Sequence, residues 1–116
     1  MGDFTMGNVE TLFKFFESEN KRDWQQYKEY LHCDVEWVLF SLSKSQSLQG
    51  IDNYMQKILS AYEGNQDSFL CENYYSNQTQ GRVITVLRNN HGYRSVDIFD
   101  FEDGLIKREY EFLLDE

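Results

Sequence analysis

Asp103-Gly104, set between two runs of alternating residues, is the feature that most constrains this chain. In RSVDIFDFEDGLIKREYEFL, residues 94–113, it predicts a two-residue hairpin turn, because both turn positions take positive φ, which Gly favours and Asp tolerates. With that turn, Glu102 opposes Leu105, Phe101 opposes Ile106, Phe99 opposes Arg108 and Asp97 opposes Tyr110. Opposed residues share a face. An uninterrupted register therefore puts Asp97, Phe99, Phe101, Ile106, Arg108, Tyr110 and Phe112 on one face. Val96, Ile98, Asp100, Leu105, Lys107, Glu109, Glu111 and Leu113 fall on the other. The aromatic face must meet a core or a cavity, and Asp97 and Arg108 are its only charged members. A carboxylate there has to be paired, reach water or take up a proton. On the second face Asp100 and Lys107 read as an exposed cross-strand pair. A slip of one residue would exchange the faces.

The rest of the chain supplies what covers this hairpin. Its 116 residues are the length of one domain, read here as 1–116 with a loose tail over 1–7. An apolar fraction of 41%, with 16% aromatic, is enough for a packed core and excludes a disordered segment. The net charge of −9 argues against nucleic acid and against anionic membranes, both of which ask for basic patches. No apolar run approaches 18 residues, so no membrane span is expected. MGDFTMGNVE has neither the basic start nor the apolar core of a signal peptide, so a cytoplasmic location is expected. Cys33 and Cys71 are then reduced thiols. His32-Cys33 and His91 offer too few ligands at usable spacing for zinc, so no metal is expected.

In order, a first helix is expected from Asn8, as N-cap, to Ser18, with Val9, Leu12, Phe13 and Phe16 as its apolar stripe and Phe15 off that stripe, towards a second partner or a pocket. Asp23 caps a short second helix carrying Trp24, Tyr27 and Leu31. Residues 34–40, DVEWVLF, alternate as a first strand. The Ser-rich stretch 41–49 reads as a loop, able to act as a flap over a cavity mouth. Gly50-Ile51-Asp52 opens a third helix to about Tyr62, with Tyr54, Met55 and Ile58 on its apolar face. Strands are expected over 68–79 and 82–88, the second rich in β-branched residues. The order is α-α-β-α-β-β-β-β. This is an α+β layout: a cone-like, curved antiparallel or mixed sheet with three helices from the N-terminal half across its concave face. Such a cup is a natural small-molecule cavity.

That order, with Asp34-Val35-Glu36-Trp37 after a short Trp-containing helix, Gly50-Ile51-Asp52 opening the third helix, and the run from Val96 to Ile106, resembles the nuclear transport factor 2-like superfamily, and within it the SnoaL-like branch. The family ending is similar to D-I-F-R-F-x-D-G-K-I-V-E-H-W. The resemblance spans nearly the whole chain. It is specific for fold and weak for function, since the scaffold hosts cyclases, isomerases, dehydratases and non-catalytic modules. It implies a SnoaL-like protein with a small-molecule pocket and no cofactor. Asp97 falls where SnoaL-like cyclases carry an acid/base aspartate, and where ketosteroid isomerases hold a protonated aspartate. The chain departs from the isomerases at Trp37 and Val38, which cannot act as their general base, and at Phe15, which lacks their tyrosine hydroxyl. Asp100 stands for the usual Arg, and Arg108-Glu109-Tyr110 for Glu-His-Trp.

Two readings follow. In one, Asp97 is the acid/base of a polyketide cyclase- or isomerase-like enzyme acting on an apolar or aromatic ligand. Its pocket is shaped by Phe15, Trp24, Tyr27, Trp37 and Tyr54, together with Phe99, Arg108 and Tyr110 of the hairpin. In the other, the domain binds a ligand or forms a homodimer through the outer sheet face without catalysis, and Asp97 pairs with Arg108. A pocket with Asp97 at its floor and free of Arg108 separates the first from the second.

Overall fold

The computed structural model describes residues 7–115. Three helices and six strands run in the order α1 (Asn8–Asn20), α2 (Trp24–Glu29), β1 (Leu31–Phe40), β2 (Ser45–Gln49), α3 (Ile51–Ala61), β3 (Phe69–Ser76), β4 (Arg82–Asn89), β5 (Arg94–Glu102) and β6 (Leu105–Leu113). The strands form one open mixed sheet in the order β2-β1-β6-β5-β4-β3. Only the β1–β6 pair is parallel. The α+β class and the helix-covered curved sheet match the sequence expectation. Of the expected tail, all but Gly7 lies outside the described residues.

The stretch 41–49 is not a loop throughout: its second half is an edge strand. Ser45–Gln49 pairs with β1, setting Leu48 opposite Trp37. Backbone pairing and one apolar contact carry it, and its serines suit an edge that must not recruit a further strand. Gly50, at φ +94°, then turns the chain, and its N–H donates to the Val35 carbonyl at 2.8 Å.

Helix α1 begins at Gly7 rather than at an Asn8 cap. Its first turn is tied to a distant segment instead. Asn8 Nδ2 donates to the Gln80 carbonyl at 2.8 Å, and Gln80 Oε1 accepts from the Val9 N–H at 3.0 Å. The inward face of α1 is centred on Leu12, Phe15 and Phe16, whereas Phe13 is exposed against Tyr74. In α2, Asp23 accepts from the Gln26 N–H, as a cap should. The core lies between the helices and the concave face, where Phe15 stacks on Tyr27 with centroids 4.2 Å apart. Phe15 and Phe16 meet Phe99 edge-on. Val35, Val83 and Ile106 are fully buried beneath them.

The hairpin turn is where the sequence puts it, with Asp103 at φ +55° and Gly104 at φ +75°. Its register is not. Glu102 and Phe101 oppose Leu105 and Ile106, but Asp100 opposes Arg108, so Lys107 is an extra residue on β6. This bulge reverses the facing of everything beyond it. Asp97 opposes Glu111 and Phe99 opposes Glu109, while Ile98 opposes Tyr110. Glu109, expected outside, is buried. Arg108, Tyr110 and Phe112, expected inside, stand on the outer face. There Arg108 Nε donates to Glu36 Oε1 at 2.9 Å, and its Nη1 lies 3.8 Å from Asp100. The Asp100–Lys107 pair does not form. Asp100 is held instead by Arg82 in a two-pronged contact at 2.6 and 2.8 Å.

Candidate functional site

Between α1, α3 and the concave face lies a half-open cavity of about 370 Å³. Phe15, Phe16, Trp37 and Phe99 form its inner walls, Tyr62 and Phe69 flank it, and Tyr93 and Asp115 stand near its mouth. Strand alternation on β5 sends Ser95, Asp97 and Phe99 inwards. The Lys107 bulge does the same for Glu109, Glu111 and Leu113 on β6. Two strands thus deliver three carboxyls to one place, with Asp97 directly opposite Glu111. Helix α1 adds Glu19 to the lining.

Like charges set opposite one another on a sheet repel, and burial penalises each charge further. Burial pushes Asp97 up from 3.8 to about 7, and the Glu19 charge adds to it. Hydrogen bonds from Ser95 and Glu109 work against that rise; Ser95 Oγ lies 2.6 Å from Asp97 Oδ1. Burial raises Glu111 to about 8, reinforced by Asp97. Glu109 is raised well above its usual range, first by burial and then by Asp97. Its carboxylate accepts from the Tyr54 hydroxyl, which is also bonded to the Tyr27 hydroxyl at 3.2 Å. Glu19 is raised to about 7 by burial, while its hydrogen bond from the Tyr62 hydroxyl, at 2.5 Å, partly restores its acidity.

The Trp37 indole N–H is buried without a hydrogen-bond partner among the described residues. It lies near enough to Glu111 to favour that group's anion, yet falls short of a hydrogen bond to the carboxyl. Near neutral pH the floor is therefore a set of carboxyls poised between neutral and ionised forms. Such groups can donate a proton or accept one. The carboxyl oxygens of Asp97, Glu109 and Glu111 also lie within 4.8 Å of one another, as do the ligand atoms of His32, Cys33 and Asp34. Either group has the spacing to hold a cation.

Of the residues singled out from the sequence, Asp97, Phe15, Trp37 and Phe99 line the cavity. Tyr27 and Tyr54 are buried behind its wall and act through Glu109. Trp24 packs on Tyr27 and Tyr62, away from the cavity. Arg108 and Tyr110 are on the opposite side of the sheet. The expected Asp97–Arg108 pair therefore does not exist. Glu19, Glu109 and Glu111 were missed. Glu19 had a readable signal, since it lies one turn beyond Phe15 and Phe16 on the same helix face. The two β6 glutamates had none short of the bulge.

No protein-family model and no curated protein sequence matches the chain. Its three-dimensional structure does match solved ones. A protein of Jannaschia Sp. CCS1 named as a SnoaL-like polyketide cyclase superposes with a TM-score of 0.79 at 17% identity, over 97% of this chain and 92% of that one. A protein of Kribbella flavida DSM 17836 named as a ketosteroid isomerase gives 0.75 at 16% identity, over 94% and 78%. An LEH-like epoxide hydrolase of M. tuberculosis gives 0.71 at 12% identity, over 91% and 81%. At these identities the likeness speaks for the fold alone, and it agrees with the three helices and the open mixed sheet. The chain has the nuclear transport factor 2-like fold.

Proposed function

We propose that this chain, acting as a single SnoaL-like domain over residues 1–116, binds a small, largely apolar molecule in its cavity and moves a proton on it without a cofactor, with Asp97 as acid/base. The observation that carries this reading is the position of Asp97: 3% exposed, in the lining of an aromatic cavity, and free of Arg108. A carboxyl raised to about 7 is present in both protonation states near neutrality, the condition under which acid/base transfer is most effective. The neutral form donates to a carbonyl oxygen of the ligand; the ionised form takes a proton from the carbon beside it. Ser95 holds the orientation through its hydroxyl. The similar structures named as polyketide cyclase and ketosteroid isomerase are consistent with small-molecule chemistry in such a cup.

A second reading, assembly, is favoured by the outer face. There Phe40 and Phe112 stack in parallel with centroids 4.7 Å apart, beside half-buried Val38, Ile98 and Tyr110. A homodimer through this face is compatible with the first reading, because the cavity is on the other side of the sheet. No helix among the described residues is long and apolar enough to cross a membrane, and a cytoplasmic setting is part of the proposal.

The test is a carbon-detected NMR titration of the Asp97 carboxyl in the ligand-free protein. A midpoint near 7 is expected. A midpoint below about 3.9, the value of an unperturbed aspartate, would overturn the acid/base role.

A further inference from the structure

The cavity's charges are unbalanced to a degree that the proton-transfer reading does not need. Among the described residues its lining holds five acidic side chains, Glu19, Asp67, Asp97, Glu111 and Asp115, and one basic one, Arg94. Arg94 is engaged elsewhere, with its Nε 3.0 Å from Glu72 Oε1. Asp67 has His91 as a partner at 2.9 Å. Arg22 lies over the Tyr62 ring, 4.1 Å from its centroid, and bonds Asn65; it is the weakest of the influences on Glu19. Among the described residues no cation meets Asp97 or Glu111.

The Trp37 indole N–H is an independent sign. It is a buried donor in the cavity wall with no acceptor, and its nearest influence is on Glu111, whose anion it favours. An indole N–H can only donate. A buried donor left unsatisfied is costly. A Glu111 oxygen turned towards it satisfies it, best when Glu111 is ionised, and a positive charge between the strands favours an ionised Glu111 opposite Asp97. The walls that surround this point are aromatic faces, which attract cations as well as apolar surface. The volume of about 370 Å³ is within the range of small-ligand sites.

From this arrangement we infer that the ligand is an organic amine with a flat apolar body, its ammonium seated between Glu111 and Asp97 and its body against Phe15, Phe16, Trp37 and Phe99. This rests on the cavity being the ligand site proposed above and narrows the class of molecule it takes. The ammonium replaces the missing counter-charge, Glu111 accepts from the Trp37 N–H, and the acidic mouth draws cations in.

The test uses matched probes on the full chain at pH 7: 2-naphthylmethylamine and 2-naphthylmethanol, measured by titration calorimetry in two buffers of different ionisation heat. The amine is expected to bind about tenfold tighter or more, as a charge-assisted contact gives over a neutral one. It should also release protons, seen as buffer-dependent heat. In Glu111→Gln the preference for the amine over the alcohol should fall away. Should that variant fold poorly, the Trp37 indole N–H resonance of the wild type gives the same answer. It should move downfield with the amine and stay put with the alcohol. Equal binding of the two probes, binding of neither, or a resonance indifferent to the amine would overturn the inference. Equal binding would leave the acid/base role of Asp97 untouched. An Asp97 midpoint below the ordinary range would remove that role and leave the amine site standing.

Discussion

Replacing Asp97 by Asn should change how the stability of this protein depends on pH. Asp97 titrates at about 7 in the fold against an ordinary 3.8. Because the folded value is raised, the folded state binds more protons than the unfolded chain between those limits, and stability falls as pH rises. The contribution is complete below about pH 4 and gone above about pH 7. At roughly 1.4 kcal/mol for each tenfold change in proton affinity, it amounts to about 4 kcal/mol. Glu19, raised to about 7, and Glu111, raised to about 8, push in the same direction, so the wild-type slope exceeds that of one proton. Asn keeps the shape of the side chain and an oxygen for the Ser95 hydroxyl. It removes one titrating group and relieves Glu111 of a neighbouring charge. With a urea m-value of about 1.5 kcal/mol/M for a chain of this size, each proton displaces the midpoint by about 0.9 M per pH step of one. Because Asp97 is already half ionised at pH 7, the wild-type midpoint should drop by about 1.5 M more than that of Asp97→Asn between pH 5 and 7. Urea melts followed by tryptophan fluorescence at pH 5, 6 and 7 measure this directly. A wild-type midpoint that is flat or rises over this range, or a variant curve parallel to it, would refute the buried, uncompensated state of the carboxyl.

Two further outcomes bear on separate parts of the structure. Tyr54→Phe removes the donor to Glu109 and a partner of the Tyr27 hydroxyl, both buried. It should destabilise the protein by about 1–3 kcal/mol in thermal or urea melts, and a loss under ~0.5 kcal/mol would mean that Glu109 has another donor. Phe112→Glu, on the outer face, should turn a dimer into a monomer in sedimentation velocity while leaving the Asp97 titration unchanged. A wild-type chain that sediments as a monomer at micromolar concentration would remove that role from the outer face.

The sequence carried the hairpin and missed its register for a definite reason. Asp103-Gly104 is a local signal, and local signals survive translation into structure. The facing of β6 is not local. Reading residues 106, 108, 110 and 112 inwards gathers Ile, Arg, Tyr and Phe on the buried side, which hydrophobicity prefers over two glutamates. The outer face has its own claims on those residues, made by a strand more than sixty positions earlier. Glu36 takes Arg108, and Phe40 stacks on Phe112. Lys107 is left over between the two demands. In the same way the serines of β2 hid a strand whose support is backbone pairing with β1. The fold class, the third helix and the position of Asp97 rested on period and turn chemistry, and these were legible.

That one extra residue also explains how a chain of net charge −9 concentrates its imbalance in the cavity. Without the bulge, Arg108 would sit inside, diagonal to Asp97, and Glu109 and Glu111 would sit outside among cations. The cavity would then be close to neutral and Asp97 an ordinary ion-paired carboxylate, with its proton affinity lowered rather than raised. With the bulge, the cations go to one side of the sheet: Arg82 and Arg108 are matched there to Asp100 and Glu36. The carboxyls left on the other side have hydroxyls and one another. The outer face gains satisfied pairs of modest worth. The inner face retains a repulsion that folding alone would have removed by exchanging a single facing. A stable fold that keeps such an arrangement, in a cavity open to small molecules, is the pattern expected where a local rule yields to a site.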